Sequence, residues 1–142
     1  MDAKTLARIV SERRRGETPP PALQLSRQEL ERLFQAMERM FLSQAVAGYI
    51  GRLVEAAHPD SSSVALVRQY VHYGPSPRGA IALAEAARGE ALIQGRPTVG
   101  FEDVAAVAEA VLNHRLILNY QARLDGVAPE QIVQALLAEV ER

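Results

Sequence analysis

From Ser26 to the end of the chain, apolar residues recur at three- and four-residue spacing, in runs that proline, glycine and serine interrupt. That period suits a bundle of helices and leaves little room for a sheet. Ser26 and Glu29 form an S-x-x-E capping box ahead of Leu30, Leu33, Phe34, Met37 and Phe41, which line one face of a first helix. Ser43 caps a second, buried through Val46, Tyr49, Ile50, Leu53 and Val54 and stopped by Pro59-Asp60 and three serines. Ser76 as N-cap and Pro77 at the first helical position open a third, with Ile81, Leu83, Ala84, Ala87, Ala91 and Leu92 inside and Gly95 as its left-handed stop. A fourth is expected over 102–113 behind Gly100, burying Val104, Val107, Ala108, Val111 and Leu112. A fifth is expected over 129–141, buried through Ile132, Val133, Leu136, Leu137 and Val140.

Two stretches are less decided. Val64 to Tyr73 is apolar and β-prone but too short for its period to separate strand from helix, and Leu116, Leu118 and Tyr120 alternate as an extended segment would. The expectation is an all-α domain, a small bundle of about five helices with room for one short pair of strands. Its many alanines suit close helix approach.

Ahead of this bundle, Leu6, Ile9 and Val10 make one stripe of a helix that closes through Arg13, Arg14 and Arg15 toward Gly16. Three successive prolines, Pro19 to Pro21, then forbid helix and favour a semi-rigid extended linker. The expected division is therefore 1–16, a linker over 17–25, and a helical domain over 26–142. Charge differs along the chain: residues 1–33 carry seven basic and five acidic groups, residues 100–142 three basic and seven acidic.

Composition excludes several function classes. With 16 basic and 17 acidic residues the net charge is -1, so nothing draws the chain strongly to nucleic acid or anionic lipid. The absence of cysteine removes disulfides, thiolate catalysis, Cys-ligated zinc and iron–sulfur clusters, and makes the cytoplasm the default compartment. Three scattered histidines do not form a metal site, no run of 18 apolar residues could span a membrane, and the N-terminus has no apolar signal-peptide core. Lys4 is the only lysine, and no glycine precedes it, so there is no phosphate-cradling GxxxxGK[ST] loop. GxGxxG, GxSxG and HExxH are missing as well, and no catalytic residue is expected in the chain itself.

One constellation carries chemistry. Gly74-Pro75-Ser76-Pro77-Arg78-Gly79-Ala80 puts an arginine in the first turn of a helix, where unpaired N–H groups and the macrodipole already supply positive charge. Cations are disfavoured there unless an anion is shared between the helix terminus, at Ser76 and Gly79, and the guanidinium, whose planar fork suits phosphate oxygens. The plainer alternative is a solvated Arg78, or one paired with a nearby carboxylate.

That segment, followed by Gly95-Arg96, Glu102-Asp103-Val104, Val111-Leu112-Asn113-His114-Arg115-Leu116 and Asp125-Gly126-Val127, resembles the C-terminal helical lid of MoxR-type AAA+ ATPases. The resemblance runs from about Leu25 to Arg142. It implies that Arg78 is the sensor-2 arginine reaching the phosphates of a nucleotide held by a preceding αβ domain, with Ser76 and Gly79 at the helix terminus nearby. Residues 1–16 would be the tail of that domain and the chain a fragment of a longer ATPase that uses ATP and Mg, with no cofactor for the fragment alone. Its implied partners are its own αβ domain, neighbouring subunits of a ring, usually a hexamer, and a client protein for chaperone-like remodelling or assembly. The sequence departs from the family's G-x-S-P-R-A pattern at Gly79, which stands where alanine is expected, and carries Pro75 before the serine.

A different class of function fits the missing motifs equally well: a free-standing helical protein–protein interaction module with no nucleotide chemistry. Arginine-based nucleic-acid binding is the weakest option for a near-neutral chain. The His114-Arg115 pair reads as a helix C-terminus that favours cations, the three N-terminal arginines as a solvated helix end, and His58 and His72 as lone loop histidines. Tyr49, Tyr70, Tyr73 and Tyr120 read as core residues with wet hydroxyls.

Overall fold

The computed structural model of the chain describes residues 2–12 and 21–142. The expected cationic helix end at Arg13 to Gly16 and the prolines Pro19 and Pro20 lie outside the described residues. The chain divides into two compact units, residues 1–30 and 31–142.

The first unit holds α1 (Ala3–Glu12) and the start of α2 (Arg27–Glu38). Asp2 starts α1 by accepting from the Thr5 N–H at 2.7 Å, and that bond holds its carboxyl below the usual range. Leu6, Ile9 and Val10 remain exposed. The expected box opens α2: Glu29 accepts from the Ser26 N–H at 2.7 Å, while Ser26 Oγ accepts from the Glu29 N–H at 3.2 Å.

The second unit runs α2, β1 (Phe41–Leu42), α3 (Gln44–Ala56), α4 (Ala65–Tyr70), β2 (Val71–Tyr73), α5 (Pro77–Ile93) and β3 (Thr98–Val99). It continues through α6 (Phe101–Leu112), a 3-10 turn (Asn113–Arg115), β4 (Ile117–Leu118), α7 (Tyr120–Asp125) and α8 (Pro129–Glu139). Its core is helical. All five expected residues of α3 are buried, and Tyr49 meets Phe101 edge to face at 5.5 Å. Helices α5 and α6 make the most extensive contact, through the fully buried Leu83, Ala87, Ala91, Val104 and Ala108. Short side chains at three of these positions let the backbones come close. Gly95, at φ +69°, stops α5 in a Schellman arrangement, with the Arg96 N–H on Ala91 O at 2.9 Å and the Gly95 N–H on Leu92 O at 3.0 Å.

The fold is mostly helical, as expected, but its details differ. Eight α-helices occur among the described residues because α4 and α7, six residues each, are too short for a periodic pattern to reveal. Val64 to Tyr73 divides into a helix that buries Val67 and Tyr70 and a strand that begins at Val71. Two pairs of strands occur among the described residues: β2 pairs antiparallel with β4, and β1 pairs parallel with β3. Tyr120 is not extended; it starts α7, which Asn119 caps by accepting from the Ala122 N–H at 3.0 Å.

Several expected core residues are also placed differently. The first helix of the bundle ends at Glu38, so Phe41 lies in β1, opposite Thr98 and 63% exposed. Leu30, Leu33 and Phe34 are exposed, since a periodic stripe reports an apolar face and not what covers it. Ile81 is 64% exposed because α5 turns Gly79, Leu83, Ala87 and Ala91 inward, four residues apart, and Ile81 falls between them on the outer side. Val107, Val111, Leu137 and Val140 are half-buried rather than buried. Among the described residues no helix is long and apolar enough to cross a membrane.

Candidate functional site

The segment Gly74 to Ala80 leaves β2, crosses the C-terminal end of α3 and enters α5. Prolines at 75 and 77 hold φ near -65° and push the residues before them to extended geometry. Ser76, at φ -66° and ψ 170°, accordingly occupies the N-cap position, with Pro77 following as expected. Its hydroxyl makes no capping bond; its carbonyl instead accepts from the Gly79 N–H at 2.7 Å.

The Arg78 side chain is exposed and makes no hydrogen bond or ion pair among the described residues. Of the two plainer alternatives open to the sequence, pairing with a carboxylate does not occur among the described residues, whereas a solvated guanidinium is what the structure has. The backbone N–H of Arg78 lies at the second helical position, where no intrahelical acceptor exists. Ser76 is exposed beside it, and Gly79 is buried.

The departure at Gly79 has a steric cause. A Cβ there would stand 2.9 Å from Pro75 Cβ and 3.6 Å from Arg115 Cδ, so the first turn of α5 lies directly on the proline ring and the arginine stem. The Arg115 guanidinium reaches back to the Val111 carbonyl at the end of α6 and touches the His114 ring. The His-Arg pair thus closes α6, as a cation at a helix C-terminus should, while the stem of Arg115 supports the turn that presents Arg78.

His58 is the residue of this region that sequence reasoning missed. It lies just beyond α3, and its Nε2 bonds the Pro75 carbonyl oxygen at 3.0 Å. A Cβ on Gly74 would stand 2.6 Å from Ala57 O and 2.8 Å from His58 Nδ1, so only glycine fits. The prolines signal only that the loop lacks N–H groups at 75 and 77; nothing in the sequence points to His58 as the donor. His72 instead lies against Tyr73 with the two rings tilted at 54° and their centroids 4.1 Å apart, and is exposed.

An apolar groove of about 240 Å³ is lined by Leu42 of β1, Ala47 and Ile50 of α3, and Ala80, Ile81 and Ala84 of α5. No group of three His, Cys, Asp or Glu side chains able to hold a metal occurs among the described residues. The tyrosines are structural where they are buried. Burial pushes the Tyr49 phenol up, and the Tyr70 phenol is pushed up chiefly by its 3.0 Å hydrogen bond to Asp125, which ties α4 to α7.

A chain of this architecture has relatives. The AAA lid domain family model matches residues 64–136, just over half of the chain and including the whole Gly74–Ala80 segment. Chaperone MoxR1 of Mycobacterium tuberculosis is 38% identical over 129 residues, covering 89% of this chain and 34% of that protein. Protein MoxR of Paracoccus denitrificans is 36% identical over 97 residues, 63% of this chain and 29% of that one. A crystal structure from Cytophaga hutchinsonii, described as a candidate ATPase, superposes with a TM-score of 0.76 at 32% identity over 80% of this chain and 35% of its own. The chain therefore spans about a third of the length of these relatives. Family match, sequence similarity and fold agree: the chain belongs to the AAA lid domain family and is a lid of the MoxR type found in AAA+ ATPases.

Proposed function

We propose that this lid closes over ATP bound by an αβ ATPase domain and that Arg78 is its sensor-2 arginine. The observation that carries the reading is an exposed, unpaired guanidinium in the first turn of α5, a position that favours anions and disfavours cations. A phosphate there would meet the Arg78 fork, its unpaired N–H and the positive end of the helix together. Ser76 and Gly79 shape the same terminus, the first through its carbonyl and the second by letting the turn lie close on Pro75. The described residues offer no carboxylate cluster for Mg²⁺, so that ion would be held by the αβ domain. Bound there, Mg²⁺ would neutralise phosphate charge.

In this reading residues 1–16 are the tail of the αβ domain, 17–25 the connection and 26–142 the lid. The lid's rotation on that connection couples hydrolysis to work on a client protein. Its partners are the αβ domain, neighbouring subunits of a hexameric ring and the client, and the work is chaperone-like remodelling or assembly, in keeping with the name of the mycobacterial relative. A cytoplasmic place for that work suits a sequence without cysteine in which, among the described residues, no helix is long and apolar enough to cross a membrane.

The deciding experiment is Arg78→Ala in the intact ATPase carrying this lid. The expected result is a loss of at least about tenfold in ATP turnover, together with weakened nucleotide-dependent assembly. Unchanged turnover and assembly would leave the interaction module as the better account.

A further inference from the structure

The loop that leads into Arg78 is short of donors. Of Gly74, Pro75, Ser76 and Pro77, the two prolines have no N–H, so this stretch is held largely through its carbonyls. Pro75 is fully buried, and its carbonyl oxygen requires a donor from the protein. His58 supplies it, at 3.0 Å. A carbonyl only accepts, so the bond places the proton on Nε2 of His58.

The same imidazole packs under Gly74, close enough that any side chain there would collide with the ring. From Pro75 the contact passes onward, because the proline ring fills the space beneath Gly79. One continuous series of contacts therefore runs from the end of α3 through His58, Pro75 and Gly79 to the turn that carries Arg78. None of the other described hydrogen bonds joins the Pro75 carbonyl to the rest of the protein.

We propose that His58 is the positioning residue for Arg78: its Nε2–H, by holding the Pro75 carbonyl, fixes where the first turn of α5 presents the guanidinium. This rests on the reading of Arg78 as the arginine that meets nucleotide phosphate. His58 touches no phosphate itself. Its part is to keep Arg78 from wandering, and a displacement of about 1 Å at a charged contact can cost roughly a hundredfold in rate.

The test compares Arg78→Ala, His58→Phe, His58→Gln and the Arg78→Ala/His58→Phe double variant in the intact ATPase, with ATP turnover and thermal unfolding measured for each. Phe keeps the ring under Gly74 and removes the donor; Gln keeps a donor and removes the ring. His58→Phe is expected to lower kcat roughly 10- to 100-fold. His58→Gln is expected to restore kcat to within about threefold of the parent, and the double variant to be no worse than Arg78→Ala alone. A His58→Phe protein that unfolds earlier but turns over ATP normally, while Arg78→Ala is impaired, overturns the proposal and makes His58 a packing residue. So does a Gln variant no better than Phe. A neutral Arg78→Ala sinks the sensor reading itself and takes the positioning role with it. Should His58→Phe fail to fold, nitrogen-15 NMR of the imidazole decides: an Nε2–H tautomer with a slowly exchanging proton supports the proposal, and an Nδ1–H tautomer overturns it.

Discussion

Arg96 sets its guanidinium against the fully buried carboxylate of Asp103, whose second oxygen accepts from the Gly100 N–H at 2.8 Å. One acidic side chain thereby caps α6 where Gly100 has no side chain to do so, and fastens the connection from α5. The carboxylate has no exposure while Arg96 keeps about a third of its own, so the pair is half screened. Glu102 joins from the solvent side.

Asp103→Ala should therefore destabilise the chain by roughly 2–4 kcal/mol, below the full cost of breaking a wholly buried pair because Arg96 can regain water. Asp103→Asn, which still accepts from Gly100, should lose less. Urea unfolding of the three proteins measures both, and a loss under about 0.5 kcal/mol for Asp103→Ala would contradict the assignment.

Glycines in helices divide by what surrounds them. Gly51 in α3 has open space where a Cβ would stand, so Gly51→Ala should stabilise by about 0.5–1 kcal/mol. Gly79→Ala gains the same propensity but drives a methyl to 2.9 Å from Pro75 Cβ, and should be a net loss of about 1 kcal/mol or more. Opposite signs in thermal unfolding are the expected outcome.

Removing Arg78 should cost the isolated chain nothing. An unpaired cation at a helix N-terminus is unfavourable, so Arg78→Ala should leave stability unchanged or raise it by up to about 0.5 kcal/mol. A drop beyond that in chemical denaturation would reveal a structural partner. Calorimetric titration of the isolated chain with ATP should show no measurable binding, because one exposed arginine and a helix end do not enclose a nucleotide.

The start of α2 should respond to acid. Two bonds from Ser26, the hydroxyl before the N–H, hold the Glu29 carboxyl below its usual 4.5. A depressed carboxyl gives stability that is present above the unfolded value and lost as pH falls through the folded one. Backbone chemical shifts of residues 26–30 should therefore move toward coil as pH drops below about 4.5, and Glu29→Gln should abolish that change.

Much of the architecture was legible because helices of eleven residues or more repeat their apolar face often enough to be seen: α3, α5, α6 and α8 all stand where the spacing put them. Capping chemistry was legible for the same local reason, at Ser26, Ser43 and Gly95. Helices α4 and α7 were not, since six residues make fewer than two turns. Nor was the parallel pairing of Phe41 with Thr98, which joins residues far apart in the chain. At the site, Arg78 could be singled out from its unusual place in a helix start, whereas His58 looked like any loop histidine.

Periodicity, caps and the G-P-S-P-R segment are local properties, and a chain carries them in its order of residues alone: that α5 begins at Pro77 with an arginine in its first turn was settled there. Which face of each helix is covered was settled by packing. Ile81 is outside and Gly79 inside because the neighbours of α5 meet one side of it. The hold of His58 on Pro75 likewise exists only once α3 ends beside the loop, for a hydrogen bond between residues 17 apart needs the fold to bring its donor within reach.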